Sequence, residues 1–390
     1  MTILNFTGFE QGTVLSSQGS DDYQVFANFG GSVQSTIKKN GSYAAEFDKV
    51  TNNIPSLVLA PYAADGRINT NSGSYGTIYF TGYFRYASKP ASGDEFILTI
   101  VPSGGGTEIA GITLASDGKL KIYDTGNGNG NEVLLGTSTT ALSQDVWYRI
   151  GIKIIAGASG SYEVKIDGTS EISGSRTWNI TSNIGYTKVG NSYDKGSQSF
   201  KFYWDDIVLD DSAYIDVDYA VGILKPNANG STMSWANGTG ASDYTQVDEI
   251  PIDITDYVQS PTSGNPNIAL FNFQSRSDAG INNGTIYAVK AVAIHRENST
   301  VSSATLIRVR SGSTNSDSGT LNGTTSTQGR SSILVNNPAT GSAWSNSAID
   351  AIEAGLVENN AVAVRGISVM VYVLYAQATT PTNTNFLLMF

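Results

Sequence analysis

Trp147-Tyr-Arg-Ile-Gly-Ile-Lys-Ile154, a glycine-rich turn at 157–161, and Tyr162-Glu-Val-Lys-Ile-Asp-Gly168 carry the strongest local signal of the chain. Both arms alternate between apolar and polar side chains, the period of a half-buried strand. The spacing predicts a β-hairpin with one face in a core and the other toward water. Strand-like runs recur on either side of it: Tyr43–Phe47, Ser56–Leu59, Thr77–Tyr86, Glu95–Val101, Leu120–Tyr123 and Phe200–Leu209. Clusters of Gly, Asn, Asp and Ser separate them. Short strands punctuated in this way predict a sandwich or barrel.

Composition agrees. The chain has 390 residues, room for two domains of ordinary size. Hydrophobic residues make up 40%, enough for real cores, whereas only 15% are charged. Tyr outnumbers Met by 20 to 4, which favours strands over helices. A net charge of −11 with no basic block excludes nucleic acid as a partner, because phosphate must be neutralised by Lys and Arg. Cysteine is absent, so disulfides and thiol chemistry are excluded. The start, Met1-Thr-Ile-Leu-Asn5, has no basic segment followed by an apolar run, and predicts no secretory signal. No window reaches the length of about 20 apolar residues that a helix needs to insert in a membrane.

Towards the end, Asn337-Pro-Ala-Thr-Gly-Ser-Ala-Trp344 reads as a turn, followed by a short helix. Ser347 would cap that helix, Ile349, Ile352 and Leu356 would form its apolar face, and Gly355 would end it. Val362–Tyr375 then alternates as a long closing strand. Upstream, Val247-Asp-Glu-Ile-Pro251 precedes Asp253, Asp256 and Tyr257, and two further strands span Thr285–Arg296 and Ser303–Ser311. This arrangement over about 220–376 resembles the C-terminal module of structural proteins from tailed bacteriophages. The hairpin, together with Phe200-Lys-Phe-Tyr-Trp-Asp-Asp-Ile-Val-Leu209 and Phe6-Thr-Gly-Phe-Glu10, resembles the concanavalin A-like sandwich of lectins and laminin-G modules. The expected fold is all-β, with two jelly-roll-like β-sandwich domains, the second carrying one short helix. The expected bounds are 1–212, a connection at 213–224, 225–376, and a tail at 377–390.

The chemistry of the side chains points away from catalysis. The single histidine, His295, lies at the end of an expected strand with no nucleophile elbow in the chain. A retaining glucanase of this fold would show Glu-x-Asp-x-x-Glu, but Glu46-Phe-Asp48 is followed by Thr51. Glu163 and Asp167 are four apart on one strand, about 13 Å along an extended chain. No catalytic residue and no resident cofactor are therefore expected. Calcium takes oxygen ligands of this kind, and Asp205, Asp206, Asp210 and Asp211 are the metal candidates. Trp178 and Trp235 sit in polar surroundings and are the candidates for stacking on a glycan. Phe386, Leu387, Leu388, Met389 and Phe390 are candidates for an oligomer contact or anchor.

The phage resemblance implies a non-enzymatic virion structural protein, made in the bacterial cytoplasm and located in the virion. Its partners would be other virion proteins and copies of itself in a trimer or higher ring. A tail fibre would use the lectin-like domain on host surface glycans; a head decoration protein would serve as cement. A free carbohydrate-binding module or polysaccharide depolymerase and a bacterial surface adhesin are the other readings.

Overall fold

The computed structural model describes residues 3–12, 31–50, 55–59, 74–103, 108–125, 132–178, 183–190, 195, 198–237, 243–253, 255–297, 304–321 and 326–377. The chain is almost entirely β. The first sandwich contains β1 (Ile3–Thr7), β2 (Ser32–Gln34), β3 (Ala44–Lys49), β4 (Ser56–Leu59), β5 (Thr77–Tyr86), β6 (Asp94–Pro102) and β7 (Ala110–Ala115). It continues through β8 (Lys119–Asp124), β9 (Val133–Ala141), β10 (Tyr148–Ile155), β11 (Gly160–Ile166), β12 (Thr169–Arg176), β13 (Ile184–Gly190) and β14 (Phe200–Asp210). One sheet runs β12-β11-β10-β5-β14-β3-β2, with β1 added to β14. The facing sheet runs β4-β13-β6-β7-β8-β9.

The β10–β11 hairpin forms as its alternation requires, pairing Ile150 with Ile166 and Ile154 with Tyr162. Ile150, Ile152, Ile154 and Val164 bury their side chains between the sheets. Trp204 crosses that space from the first sheet, standing edge-on to Phe80 at 5.3 Å and donating its indole N–H to the Ile97 carbonyl of the second at 3.2 Å. Glu171 of β12 accepts the Thr139 and Thr140 amides of β9, at 2.9 and 3.1 Å, tying the two sheets along one edge.

The second sandwich contains β15 (Tyr219–Leu224), β16 (Pro226–Met233), β17 (Ala236–Asn237), β18 (Val258–Gln259), β19 (Asn267–Phe273) and β20 (Ile286–Glu297). After these come β21 (Thr305–Ser311), β22 (Thr314–Asp317), β23 (Ser326–Arg330), the helix α1 (Asn346–Asp350), β24 (Glu353–Glu358) and β25 (Val364–Ala376). One sheet runs β17-β18-β25-β20-β23, with β15 also on β25; the other runs β16-β19-β24-β21-β22. Trp344, Ile349, Ile352 and Leu356 fall in its core.

Two expectations need correction here. The helix is a single turn, capped by the Ser345 hydroxyl on the Ala348 amide at 3.1 Å rather than by Ser347. Gly355 and Leu356 belong to β24, because the strand is held between β19 and β21 and its ladder overrides a weak helical period. Within 213–224, the half from Tyr219 to Leu224 is a strand that pairs with β25 in the second sandwich.

The two sandwiches share a third apolar cluster. Ile3, Phe6 and Val208 from the first meet Tyr219, Val221, Ala288, Val292, Met370, Tyr372 and Leu374 from the second. Lys290 reaches across this seam, donating to Asn5 Oδ1 at 3.0 Å and to the Phe6 carbonyl at 2.5 Å.

Candidate functional site

The side of the second sheet facing away from the core carries a polar cluster. Residues directly opposite one another in antiparallel strands share a face. The register places Phe96 beside Thr113 and Thr113 beside Lys121, while Thr99, Gly111 and Tyr123 form the next row. Gly111 leaves the space the Phe96 ring occupies: a Cβ there would stand 2.2 Å from the Phe96 Cε1 atom. Tyr123 meets the Phe96 ring edge-on at 6.2 Å.

Asp94 is the centre of the cluster. Its Oδ2 accepts the Tyr123 hydroxyl at 2.5 Å and the Thr113 hydroxyl at 3.1 Å, and the Lys121 ammonium lies 3.4 Å away. Above the Tyr123 ring, the Lys195 ammonium sits 4.0 Å from its centroid and 3.6 Å from Glu132. Burial pushes the Tyr123 phenol above its ordinary range, and the hydrogen bond to Asp94 pushes it further. The hydroxyl is thus held protonated next to a carboxylate, with two ammonium groups close by. Lys188, paired with Glu108 at 3.0 Å, extends the charged row towards β13.

A buried ion pair positions Lys195. Lys49 and Glu95 are both fully buried, 3.0 Å apart. Glu95 also accepts the Lys195 amide at 3.2 Å and the Gln198 amide at 2.9 Å. The carboxylate therefore fastens the Lys195 backbone, whose side chain lies over the aromatic pair.

A second group of acids lies at the seam. A bulge in β14 between Asp205 and Val208, with Asp206 at φ 43°, puts both aspartates inside. Asp205 accepts the Lys39 amide at 2.8 Å, and Asp206 accepts Val221 N at 2.9 Å and the Asn40 side chain at 2.5 Å. Glu10 joins them, accepting the Ser42 amide at 2.8 Å. Burial is the main cause that raises all three: Glu10 to about 8, Asp206 to about 7, and Asp205 well above the usual carboxylate range. Of the metal candidates, Asp210 instead holds the Ser212 and Ala213 amides at 2.6 and 3.0 Å, and Asp211 is half-buried outside the cluster. Among the described residues, no group of three or more His, Cys, Asp or Glu side chains is arranged to hold a metal ion.

The other sequence candidates fall elsewhere. Trp178 and Trp235 are corrected as glycan-stacking residues: they are only 3% and 2% exposed, the first packed against Tyr162 and the second in the core of the second sandwich. Both rings turn inward in spite of the polar residues beside them in sequence. His295 is buried within β20 opposite Gly366. Phe386 to Phe390 lie outside the described residues. The Asp94–Tyr123 pair is not visible in the sequence because its members lie on different strands; the local trace is an acid just before the apolar run Phe96–Val101 and a tyrosine near the end of the alternating segment Lys119–Asp124.

No protein-family model and no curated protein sequence matches the chain. Among solved structures, it is similar to an endo-β-1,4-glucuronan lyase from the fungus Trichoderma reesei, at 10% identity and TM-score 0.36, over 47% of this chain and 88% of that one. An alginate lyase, Aly36B, matches at 11% identity and TM-score 0.34, over 44% and 82%. A Trypanosoma rangeli sialidase matches at 13% and 0.33, over 48% of this chain but only 27% of the sialidase. These neighbours are glycan-processing enzymes. Those names run against the expectation of a non-enzymatic bacteriophage structural protein, in its tail-fibre and head-decoration forms alike, and against the exclusion of catalysis.

Proposed function

We propose that this chain is a carbohydrate-active enzyme that takes an acidic polysaccharide on the outer face of its second sheet. The observation carrying this reading is the Tyr123 hydroxyl held 2.5 Å from Asp94, with Lys121 on the same carboxylate and Lys195 over the ring. A phenol kept protonated by burial is suited to give its proton to a leaving glycosidic oxygen. Asp94 is the neighbouring group that can take a proton, and Lys121 and Lys195 supply cations for a uronate carboxylate.

The corresponding reaction is β-elimination. The hydrogen beside the uronate carboxyl leaves as a proton, a carbon–carbon double bond forms, and the glycosidic carbon–oxygen bond breaks with protonation of its oxygen. The test is incubation of the full chain with polyglucuronate and with alginate, beside a neutral glucan. Ultraviolet absorbance of unsaturated uronate ends should rise with at least one polyuronate, and Tyr123→Phe should abolish the rise while leaving the melting temperature near wild type. No cleavage of either polyuronate, or cleavage unchanged in Tyr123→Phe, would refute the reading.

A further inference from the structure

We propose that the cleft between the two sandwiches is a separate binding site for a mono- or disaccharide. The cleft has a volume of about 610 Å³, within the usual range for small-molecule sites. Glu10 and Tyr43 line it from the first sandwich, and Lys225, Gln274, Asp278 and Tyr375 from the second. A ligand there would touch both domains at once.

The hydrogen-bonding groups in this cleft are available for a ligand. The Lys225 ammonium and the Gln274 side-chain amide have no side-chain partner among the described residues, and neither do the Tyr43 and Tyr375 hydroxyls. Asp278 uses one carboxylate oxygen on Ser275, at 2.7 Å, which leaves the other. Among the described residues, Glu10 takes the backbone amides of Ser42 and Tyr43 and pairs with no ammonium or guanidinium group. Donors and acceptors are therefore mixed around a space that also has two phenol rings and the apolar side chains of Ile223 and Ile250.

That mixture selects the ligand class. Asp278 balances the one ammonium and Glu10 is held protonated by burial, so the cleft has no net positive charge for a phosphate-bearing ligand, and its polar rim disfavours a hydrocarbon one. A sugar ring carries hydroxyls that both donate and accept, and it presents flat C–H faces to aromatic rings. The site is distinct from the Asp94–Tyr123 cluster and uses none of its residues, so either assignment can fail without the other.

Saturation-transfer NMR on the full chain, with methyl glucoside and methyl glucuronide as probes, tests it. Lys225 and Gln274 make no side-chain hydrogen bond among the described residues, so Lys225→Ala/Gln274→Ala should fold normally. Transfer to at least one probe is expected in wild type and in Tyr123→Phe, with affinity weakened about tenfold or more in the double variant, as for losing hydrogen bonds to a charged group. No transfer to either probe, equal affinity in the double variant, or transfer lost in Tyr123→Phe would each overturn the proposal.

Discussion

Replacing Lys49 with Met would remove one half of the buried pair that fastens the Lys195 backbone. Both side chains are fully buried and 3.0 Å apart. Breaking a pair of this kind from one side costs about 3–5 kcal/mol, because the remaining charge stays buried without its partner. Here Glu95 would keep two backbone amides, at 3.2 and 2.9 Å, which places the electrostatic part at the low end. Lys49 also donates to the Gln198 carbonyl at 3.1 Å, and losing that bond adds about 1 kcal/mol. The expected cost is therefore about 4 kcal/mol. Urea unfolding of wild type and Lys49→Met measures it directly. Lys49→Met/Glu95→Gln, which removes both charges and keeps an amide oxygen, should recover about 1 kcal/mol or more relative to the single variant. A single-variant cost below about 1 kcal/mol, the range of exposed pairs, would refute the reasoning, as would strictly additive effects in the double variant.

Gly111→Ala should destabilise by about 1–3 kcal/mol in chemical denaturation and displace Tyr123, since the new methyl group collides with the Phe96 ring. For Glu10 the folded value, about 8, lies above the ordinary 4.5, so its contribution to stability is full below 4.5 and is lost as pH rises through 8. Wild-type melting temperature should therefore fall across that window, and Glu10→Gln should flatten the fall, with Asp205 and Asp206 keeping part of it. Glu171 behaves in the opposite sense: hydrogen bonds from Thr139 and Thr140 hold it at about 2, so its contribution is present above 4.5 and is lost as pH falls through 2. Glu171→Gln should show a smaller acid-induced drop in melting temperature than wild type.

The architecture was legible where local pattern and tertiary pairing agree. Ser56–Leu59 and Thr77–Tyr86 are strands over the spans read from sequence, and the Trp147–Gly168 stretch forms its hairpin. Agreement failed at 353–358, where an apolar run fits a helix turn or a strand and only the flanking β19 and β21 decide. Trp178 and Trp235 were misplaced because a ring's direction depends on which sheet face its loop returns to. The catalytic candidates were invisible for a related reason. Asp94 and Tyr123 come from two strands and Lys195 from a distant position in the chain, brought together by register and by the buried Glu95, and no spacing in the chain encodes their meeting.

The seam between the sandwiches determines how the molecule can be used as material. A fragment ending at residue 212 would carry Ile3, Phe6, Tyr83 and Val208 stripped of their cover, together with Asp206 deprived of the Val221 amide. Such a piece would be sticky and poorly soluble, and grafting it onto another carrier would transfer the problem. For expression, labelling or fusion, the smallest sound unit is the pair, and attachments belong at loops away from Lys290.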